Sequence, residues 1–166
     1  MKRTILSILF LVFLTPCISN ACECKIQKRL ESLQNLEFEN SECILIGEVL
    51  EIDSENDTFK VKVVESFNGD KTGKIYSGIY NRYCEPIIDQ KGQWLIYGNI
   101  NEQGLLDINS CGLTRSFAHP EKNFQIFSIT VGVRMNKLTD KEEKQYIEKA
   151  KSDLINEIKI LRTKFK

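Results

Sequence analysis

Cys22 and Cys24, separated by a single residue, are the residues of this sequence best placed to do chemistry. They follow Ala21, and a chain cut after Ala21 would begin with Cys22 and its α-amine. An amine, a carbonyl and two sulfurs would then lie within three residues. Groups of this kind bind metals or cross-link the chain. We therefore expect the segment to be either a working chemical group or an anchored chain end.

Residues 1–21 have the pattern of a secretory signal peptide. A basic start precedes an apolar run over residues 5–14, and the small residues Ser19 and Ala21 precede the cleavage site. The run is too short to span a bilayer, which needs about 20 apolar residues. We therefore predict a secreted protein, extracellular or periplasmic, with no membrane span.

Cys17 offers an alternative processing site. Residues 14–17 are similar to a bacterial lipoprotein box, although Pro16 stands where that pattern has a small residue. A lipid anchor on Cys17 would leave further residues ahead of Cys22, whose amine would then no longer be free.

The charge balance argues against a polyanionic partner. The chain has 23 Lys and Arg residues and 23 Asp and Glu residues, so its formal net charge is zero. A nucleic-acid binder normally has a basic surface, because phosphate contacts supply most of its affinity. We therefore predict no nucleic-acid partner. The length of 166 residues suits one domain with a terminal element.

The cysteines that follow the signal peptide predict disulfides. Disulfides are the expected state in an exported chain, but spacing alone does not select a pairing. Cys43 lies in an apolar, strand-like run, where a cysteine behaves as a small buried hydrophobic residue, so we expect it to keep its thiol. Cys22 and Cys24 point to opposite faces of an extended segment and should reach different partners. Cys84 and Cys111 are the candidates.

A zinc site is the competing interpretation of these cysteines. Zinc thiolate sites favour two cysteines with two residues between them, and Cys-x-Cys matches that pattern poorly. An oxidising compartment weakens the match further. We therefore predict no cofactor.

Short apolar segments separated by polar turns predict a mainly β protein of the α+β class. Alternating apolar residues indicate five strands, at residues 43–52, 58–67, 74–80, 93–100 and 105–109. Such a series argues for a closed antiparallel sheet or barrel. Gly47, inside the first strand, predicts a bulge or a sharp bend. One face of the second strand is expected to consist of Phe59, Val61, Val63 and Phe67.

Two segments beside the strands have helical or undecided patterns. Residues 25–36 predict a short N-terminal helix, which residues 38–41 should end. Residues 118–138 connect the barrel to the last helix. The apolar residues between 124 and 133 fit either a strand or a short helix.

Residues 139–166 predict a long amphipathic C-terminal helix. Thr139 and Glu142 form a capping-box pattern at its start. Its apolar stripe should pack on the barrel, with a partner protein as the alternative. The stripe consists of Ile147, Ala150, Leu154, Ile158, Leu161 and Phe165.

The order of the cysteines and strands is similar to that of a known family. The segments that carry the likeness are residues 21–24, 43–49, 59–69, Cys84, 94–97 and 110–111. In these segments, residues 22–117 resemble the N-terminal domain of the tissue inhibitors of metalloproteinases, within the wider netrin-like group. The resemblance implies that the five strands close into an OB-like barrel.

The resemblance also implies disulfides from Cys22 to Cys84 and from Cys24 to Cys111. In the family, the N-terminal cysteine binds the catalytic zinc of the target protease through its α-amine and carbonyl, and the next residue enters the pocket beside that zinc. Carried over, Cys22 would be the zinc ligand and Glu23 the pocket residue. The family usually has Thr or Ser at the position of Glu23 and a cysteine-rich domain in place of the last helix.

These inferences predict a secreted metalloprotease inhibitor-like protein whose partner is a zinc metalloendopeptidase. The alternative is a non-inhibitory extracellular or envelope protein-binding module, lipid-anchored if Cys17 is processed. We predict no enzymatic activity. The single histidine, His119, has no Ser or Cys motif near it, and Cys43 is expected to be too buried to act as a nucleophile.

Overall fold

The computed structural model describes residues 22, 24–25, 29–68, 72–131 and 138–165. The predicted signal peptide, the lipidation site Cys17 and the pocket residue Glu23 lie outside these residues. The helices are α1 (Leu30–Asn40), α2 (Phe124–Val131) and α3 (Asp140–Lys164), with a 3-10 turn at Pro120–Lys122. The strands are β1 (Cys43–Asp53), β2 (Thr58–Ser66), β3 (Ile75–Ile79), β4 (Gly92–Ile100), β5 (Leu106–Ile108) and β6 (Arg115–Ser116).

Strands β1 to β5 form a closed, OB-like barrel. The strand order is β1-β2-β3-β5-β4, and β1 also pairs with β4, which closes the ring. The short β6 pairs with Trp94 and Leu95 of β4, along the same edge that β5 occupies further on. The expected five-stranded barrel with a short N-terminal and a long C-terminal helix is therefore confirmed.

One pairing of the barrel is parallel, so the expectation of a purely antiparallel sheet is wrong. Strand β3 runs parallel to β5, with Gly78 opposite Leu106, whereas the other neighbours are antiparallel. The reason is geometric. An odd number of strands cannot alternate in direction around a closed ring, so one pair must be parallel.

A β-bulge bends the pairing of β1 with β2. Ile46 pairs with Glu65, whereas the next residue, Gly47, pairs with Val63. This leaves Val64 as the extra residue. A Cβ on Gly47 would overlap a buried valine side chain of β2. The bulge predicted at Gly47 is confirmed.

The bulge also decides where Phe67 packs. Phe59, Val61 and Val63 lie together inside the barrel, but Phe67 packs in a second cluster beneath the helices. Its predicted place on the same face is wrong, because the extra residue Val64 inverts the alternation of side chains.

Strands β1 and β4 are buried on both faces, because they lie between two hydrophobic clusters. The cluster inside the barrel includes Leu45 and Ile96, and the cluster outside it includes Ile44 and Leu95. Helices α1, α2 and α3 cover the outer cluster. This arrangement explains why both strands read as nearly continuous apolar runs.

Helix α1 begins and ends later than predicted. It spans Leu30–Asn40, so three of the four residues that were expected to break it, 38–41, are helical. Glu37 anchors this end of the helix, because its carboxylate accepts hydrogen bonds from Asn109 and from the N–H of Leu113. The undecided segment after residue 123 forms α2, and the Asn123 side chain caps its start by accepting a hydrogen bond from the N–H of Ile126.

Helix α3 packs on the barrel, as predicted, and its capping box is present between Thr139 and Glu142. Its buried stripe differs in two places. Tyr146 is buried where Ile147 was expected, and Glu157 is buried within the stripe. Within the described residues, no helix combines the length and the apolar character needed to span a membrane.

Candidate functional site

Two disulfides, here called the clamp, hold Cys22 and Cys24 against one end of the barrel. Cys22 is bonded to Cys84 and Cys24 to Cys111, with 5.4 Å between the Cα atoms of each pair. This is the pairing that the family resemblance implied. The intervening Glu23 lies outside the described residues.

The topology of the barrel brings Cys84 and Cys111 together. Cys84 follows β3 in the chain and Cys111 follows β5, and these strands are parallel neighbours. Parallel strands point the same way, so the loops that follow them meet at one end of the sheet. The N–H of Cys111 donates to the carbonyl of Glu85 at 2.6 Å, which joins the two loops directly.

The sulfurs of the clamp form one compact group. Cys22 Sγ lies 4.0 Å from Cys111 Sγ, although the two belong to different disulfides. The sulfurs of Cys22, Cys24 and Cys111 all lie within 4.8 Å of one another. Cys43 takes part in neither disulfide and is buried in the barrel cluster.

Glu37 of α1 supports the loop that carries Cys111. Its buried carboxylate accepts hydrogen bonds from Asn109 Nδ2 at 2.7 Å, from the N–H of Leu113 at 2.9 Å and from Ser41 Oγ at 3.1 Å. Burial raises the pKa of Glu37 above its ordinary value, although these hydrogen bonds act in the opposite direction. The loop is therefore held on both sides of Cys111.

A groove of about 400 Å³ runs beside the clamp, between α1 and the loop of Cys111. Leu36 and Lys25 line it, and Leu36 is exposed. Two aromatic side chains are also exposed at this end of the barrel. Tyr83, which directly precedes Cys84, is 78% exposed, and Phe124 at the start of α2 is 40% exposed. The surroundings of the clamp therefore offer apolar contact area to another molecule.

A buried ion pair lies where four elements, α1 among them, meet. Glu157 of α3 and Arg115 of β6 are 0% and 2% exposed, and Arg115 Nη2 lies 2.7 Å from Glu157 Oε2. Gln34 Nε2 donates to the same carboxylate at 2.7 Å, and the Tyr97 hydroxyl donates at 2.5 Å. Burial and the neighbouring Glu157 carboxylate raise the pKa of Tyr97 well above its ordinary value. The pair joins α1, β4, β6 and α3.

This ion pair was not predicted from the sequence. The sequence feature that could have predicted it is Glu157, an acidic residue among Leu154, Ile158 and Leu161 on the apolar stripe of α3. The exposed residues Tyr83 and Phe124 were also missed, since nothing in the local sequence distinguishes an exposed aromatic residue from a buried one.

A second cleft, of about 340 Å³, lies between the loop after Cys84 and the 3-10 turn. His119 lines it, and His119 Nδ1 lies 3.0 Å from Glu121 Oε1. Asp89 and Lys122, also in the lining, are 3.6 Å apart. Asp89 and Lys122 thus pair within the cleft, whereas His119 and Arg115 of its lining pair with Glu121 and Glu157 outside it, and the clamp remains the better candidate site.

No protein-family model matches this chain, and no curated protein matches it either. The functional interpretation therefore depends on the geometry of the chain itself.

Proposed function

We propose that the mature protein is an exported inhibitor-like binder of zinc metalloendopeptidases, in which the α-amine and carbonyl of Cys22 bind the catalytic zinc. One observation carries the proposal. Cys22 and Cys24, with a single residue between them, are each bonded to a different loop at one end of the barrel. A segment held at both ends loses little conformational freedom on binding, which lowers the entropic cost of the complex.

The chemistry of an amine terminus suits this role. A catalytic zinc keeps one coordination position open for water or substrate. An α-amine has a pKa of about 7.7–8.0, so a large share of it is protonated at neutral pH. Zinc binds the unprotonated form and displaces the proton. The carbonyl of the same residue can then complete a five-membered chelate.

The surface around the clamp supports a protein partner. Tyr83, Phe124 and Leu36 are exposed beside the two disulfides. Aromatic side chains are enriched in protein interfaces because they bury a large area. Glu23 would enter the protease pocket as an anion, so we expect the target to place a cation or several hydrogen-bond donors there.

One extra residue tests the chelation. We expect the exported protein, with Cys22 confirmed as its first residue by mass spectrometry, to inhibit a zinc metalloendopeptidase in a panel assay. Adding one alanine ahead of Cys22 should abolish this inhibition, because the α-amine moves away from the clamp. One alanine added after Lys166 is the matched control and should leave inhibition unchanged. Inhibition that survives the N-terminal alanine would contradict the proposal.

The exposed Tyr83 favours a second candidate, a binding module that docks on a partner without using the zinc. In that case Tyr83→Ala should weaken capture of the partner protease, measured by surface plasmon resonance, while the N-terminal alanine leaves it unchanged. In the chelation mechanism, the N-terminal alanine should have the larger effect.

A further inference from the structure

Three cysteines of the clamp hold their sulfurs at about the spacing of a tetrahedral metal site, and the fourth is bonded to one of them. Zinc–sulfur bonds of about 2.3 Å place the sulfurs of a tetrahedral site about 3.8 Å apart. Cys22 Sγ and Cys111 Sγ are already 4.0 Å apart, and Cys24 Sγ lies within 4.8 Å of both. Cys84 Sγ, the fourth sulfur of the clamp, is bonded to Cys22 Sγ and lies outside this group of three.

We infer that, once both disulfides are reduced, Cys22, Cys24, Cys84 and Cys111 together bind one zinc ion or a similar thiophilic divalent cation. The spacing within Cys22-x-Cys24 is a poor match to the usual zinc pattern in sequence. The barrel compensates, because the parallel pairing of β3 and β5 supplies the other two ligands from adjacent loops. The inference does not depend on the proposed function, which concerns the oxidised protein.

Several contacts keep the ligands close together after reduction. The loops of Cys84 and Cys111 stay joined by the hydrogen bond from Cys111 to Glu85, and Glu37 holds the second loop. The terminal segment also has a contact of its own, since Gln125 Nε2 donates to the carbonyl of Lys25 at 3.5 Å. None of these contacts involves a sulfur atom.

The charges around the group partly favour a thiolate site. Four thiolates on a divalent cation carry a net charge of −2, which a helix N-terminus and a lysine stabilise. The start of α2 lies beside Cys24 and Cys111, and the exposed Lys25 directly follows Cys24. The Glu85 carboxylate, which accepts the N–H of Phe124, offsets part of this effect.

The redox step balances with a phosphine as reductant. One phosphine and one water convert each disulfide to two thiols, and the phosphine becomes a phosphine oxide. Two equivalents therefore open the clamp. A divalent cation then replaces the protons of the four thiols, so metal binding should strengthen as the pH rises.

Cobalt(II) is the probe for the test. The mature chain is reduced with phosphine without oxygen and titrated with Co²⁺, while visible absorption and circular dichroism are recorded. We expect one equivalent to bind, with the charge-transfer and d–d bands of a tetrahedral tetrathiolate site, and Zn²⁺ to displace it. Cys84→Ser should alter the bands and lower the affinity at least about tenfold, because loss of a residue that merely hydrogen-bonds to a metal ligand already has an effect of that size. Cys43→Ala is the matched control and should change neither.

Three results would overturn the inference. They are the absence of tetrathiolate bands, an equal loss of the bands in Cys43→Ala, and equally tight binding by the reduced chain unfolded in urea. The comparison of folded with urea-unfolded chain uses the unmutated protein, so it still tests the inference if the Cys84→Ser variant fails to fold. Failure of this test would leave inhibition by the oxidised protein unaffected, so it can be told apart from failure of the proposed function.

Discussion

The carboxyl group of Glu37 connects α1 to the loop of Cys111 and is buried in doing so. Its raised pKa means that the folded protein holds a proton on Glu37 more tightly than the unfolded chain does. Between the ordinary pKa of 4.5 and the raised value, the folded state therefore binds more protons. The free energy of unfolding must then fall as the pH rises through that window.

Replacing Glu37 by glutamine should remove this contribution to the pH dependence. We expect the unfolding free energy of Glu37→Gln, measured in urea from about pH 4 to about pH 7, to decline less with pH than that of the wild type. The unfolding free energy of Glu37→Gln should also be lower than that of the wild type by about 1–3 kcal/mol at all pH values. The reason is that the new amide faces the donors of Asn109 and Ser41.

Glu65 serves as the matched control for Glu37. The hydrogen bond from Arg162 lowers the pKa of Glu65, so its stabilisation is present above the ordinary pKa and is lost as the pH falls through the lowered value. Glu65→Gln should therefore change the pH dependence in the opposite sense, and only weakly, since the pair is partly exposed. The same pH slope in Glu37→Gln and the wild type would contradict the assignment.

At the scale of elements, the Glu157–Arg115 pair decides how α3 sits on the barrel. The Glu157 carboxylate on α3 accepts hydrogen bonds from Gln34 on α1, Tyr97 on β4 and Arg115 on β6. One carboxylate therefore joins four elements. A buried ion pair contributes little net stability when it is intact, because each charge has lost its hydration. Losing one partner is costly, because the other charge remains buried without compensation.

Glu157→Gln should therefore destabilise the protein by about 3–5 kcal/mol, measured by urea unfolding at neutral pH. Glu148→Gln, an exposed change on the same helix, should cost less than about 1 kcal/mol, as expected of a surface pair. The double variant Arg115→Met with Glu157→Leu removes both charges and should be more stable than Glu157→Gln. Equal costs for Glu157→Gln and Glu148→Gln would contradict this role.

At the scale of the whole molecule, the disulfides fasten the segment of Cys22 and Cys24 to a barrel that has its own core. Cys24 and Cys111 belong to neither buried hydrophobic cluster. The cross-link closes a loop of 87 residues in sequence, so its stabilisation comes mainly from restricting the unfolded chain. The barrel should therefore persist without it.

Cys24→Ala with Cys111→Ala should lower the unfolding free energy by about 2–4 kcal/mol and leave the fold intact. Trp94, the single tryptophan and buried in the barrel, reports on this through its fluorescence. Cys22→Ala with Cys84→Ala is the matched control, and its effect should be similar because the two loops differ little in closure entropy. A shift of Trp94 emission toward that of the unfolded chain would contradict an independent barrel.

Features with a local cause could be predicted from the sequence. The five strands follow from alternating apolar residues, the bulge from Gly47, and the start of α3 from the Thr139–Glu142 capping box. The packing of α3 on the barrel followed from its apolar stripe. Each depends on residues close together in the chain, where spacing and structure are directly related.

Features that depend on distant contacts were decided only by the tertiary structure. From the residues alone the disulfide pairing stayed open, and it is the closed ring, with β3 parallel to β5, that sets Cys84 beside Cys111. The extra residue Val64 moved Phe67 to the outer cluster, and the partners of Glu157 come from three other elements. The physical reason is the same in each case. Strand pairing and burial bring together residues that no spacing along the chain relates.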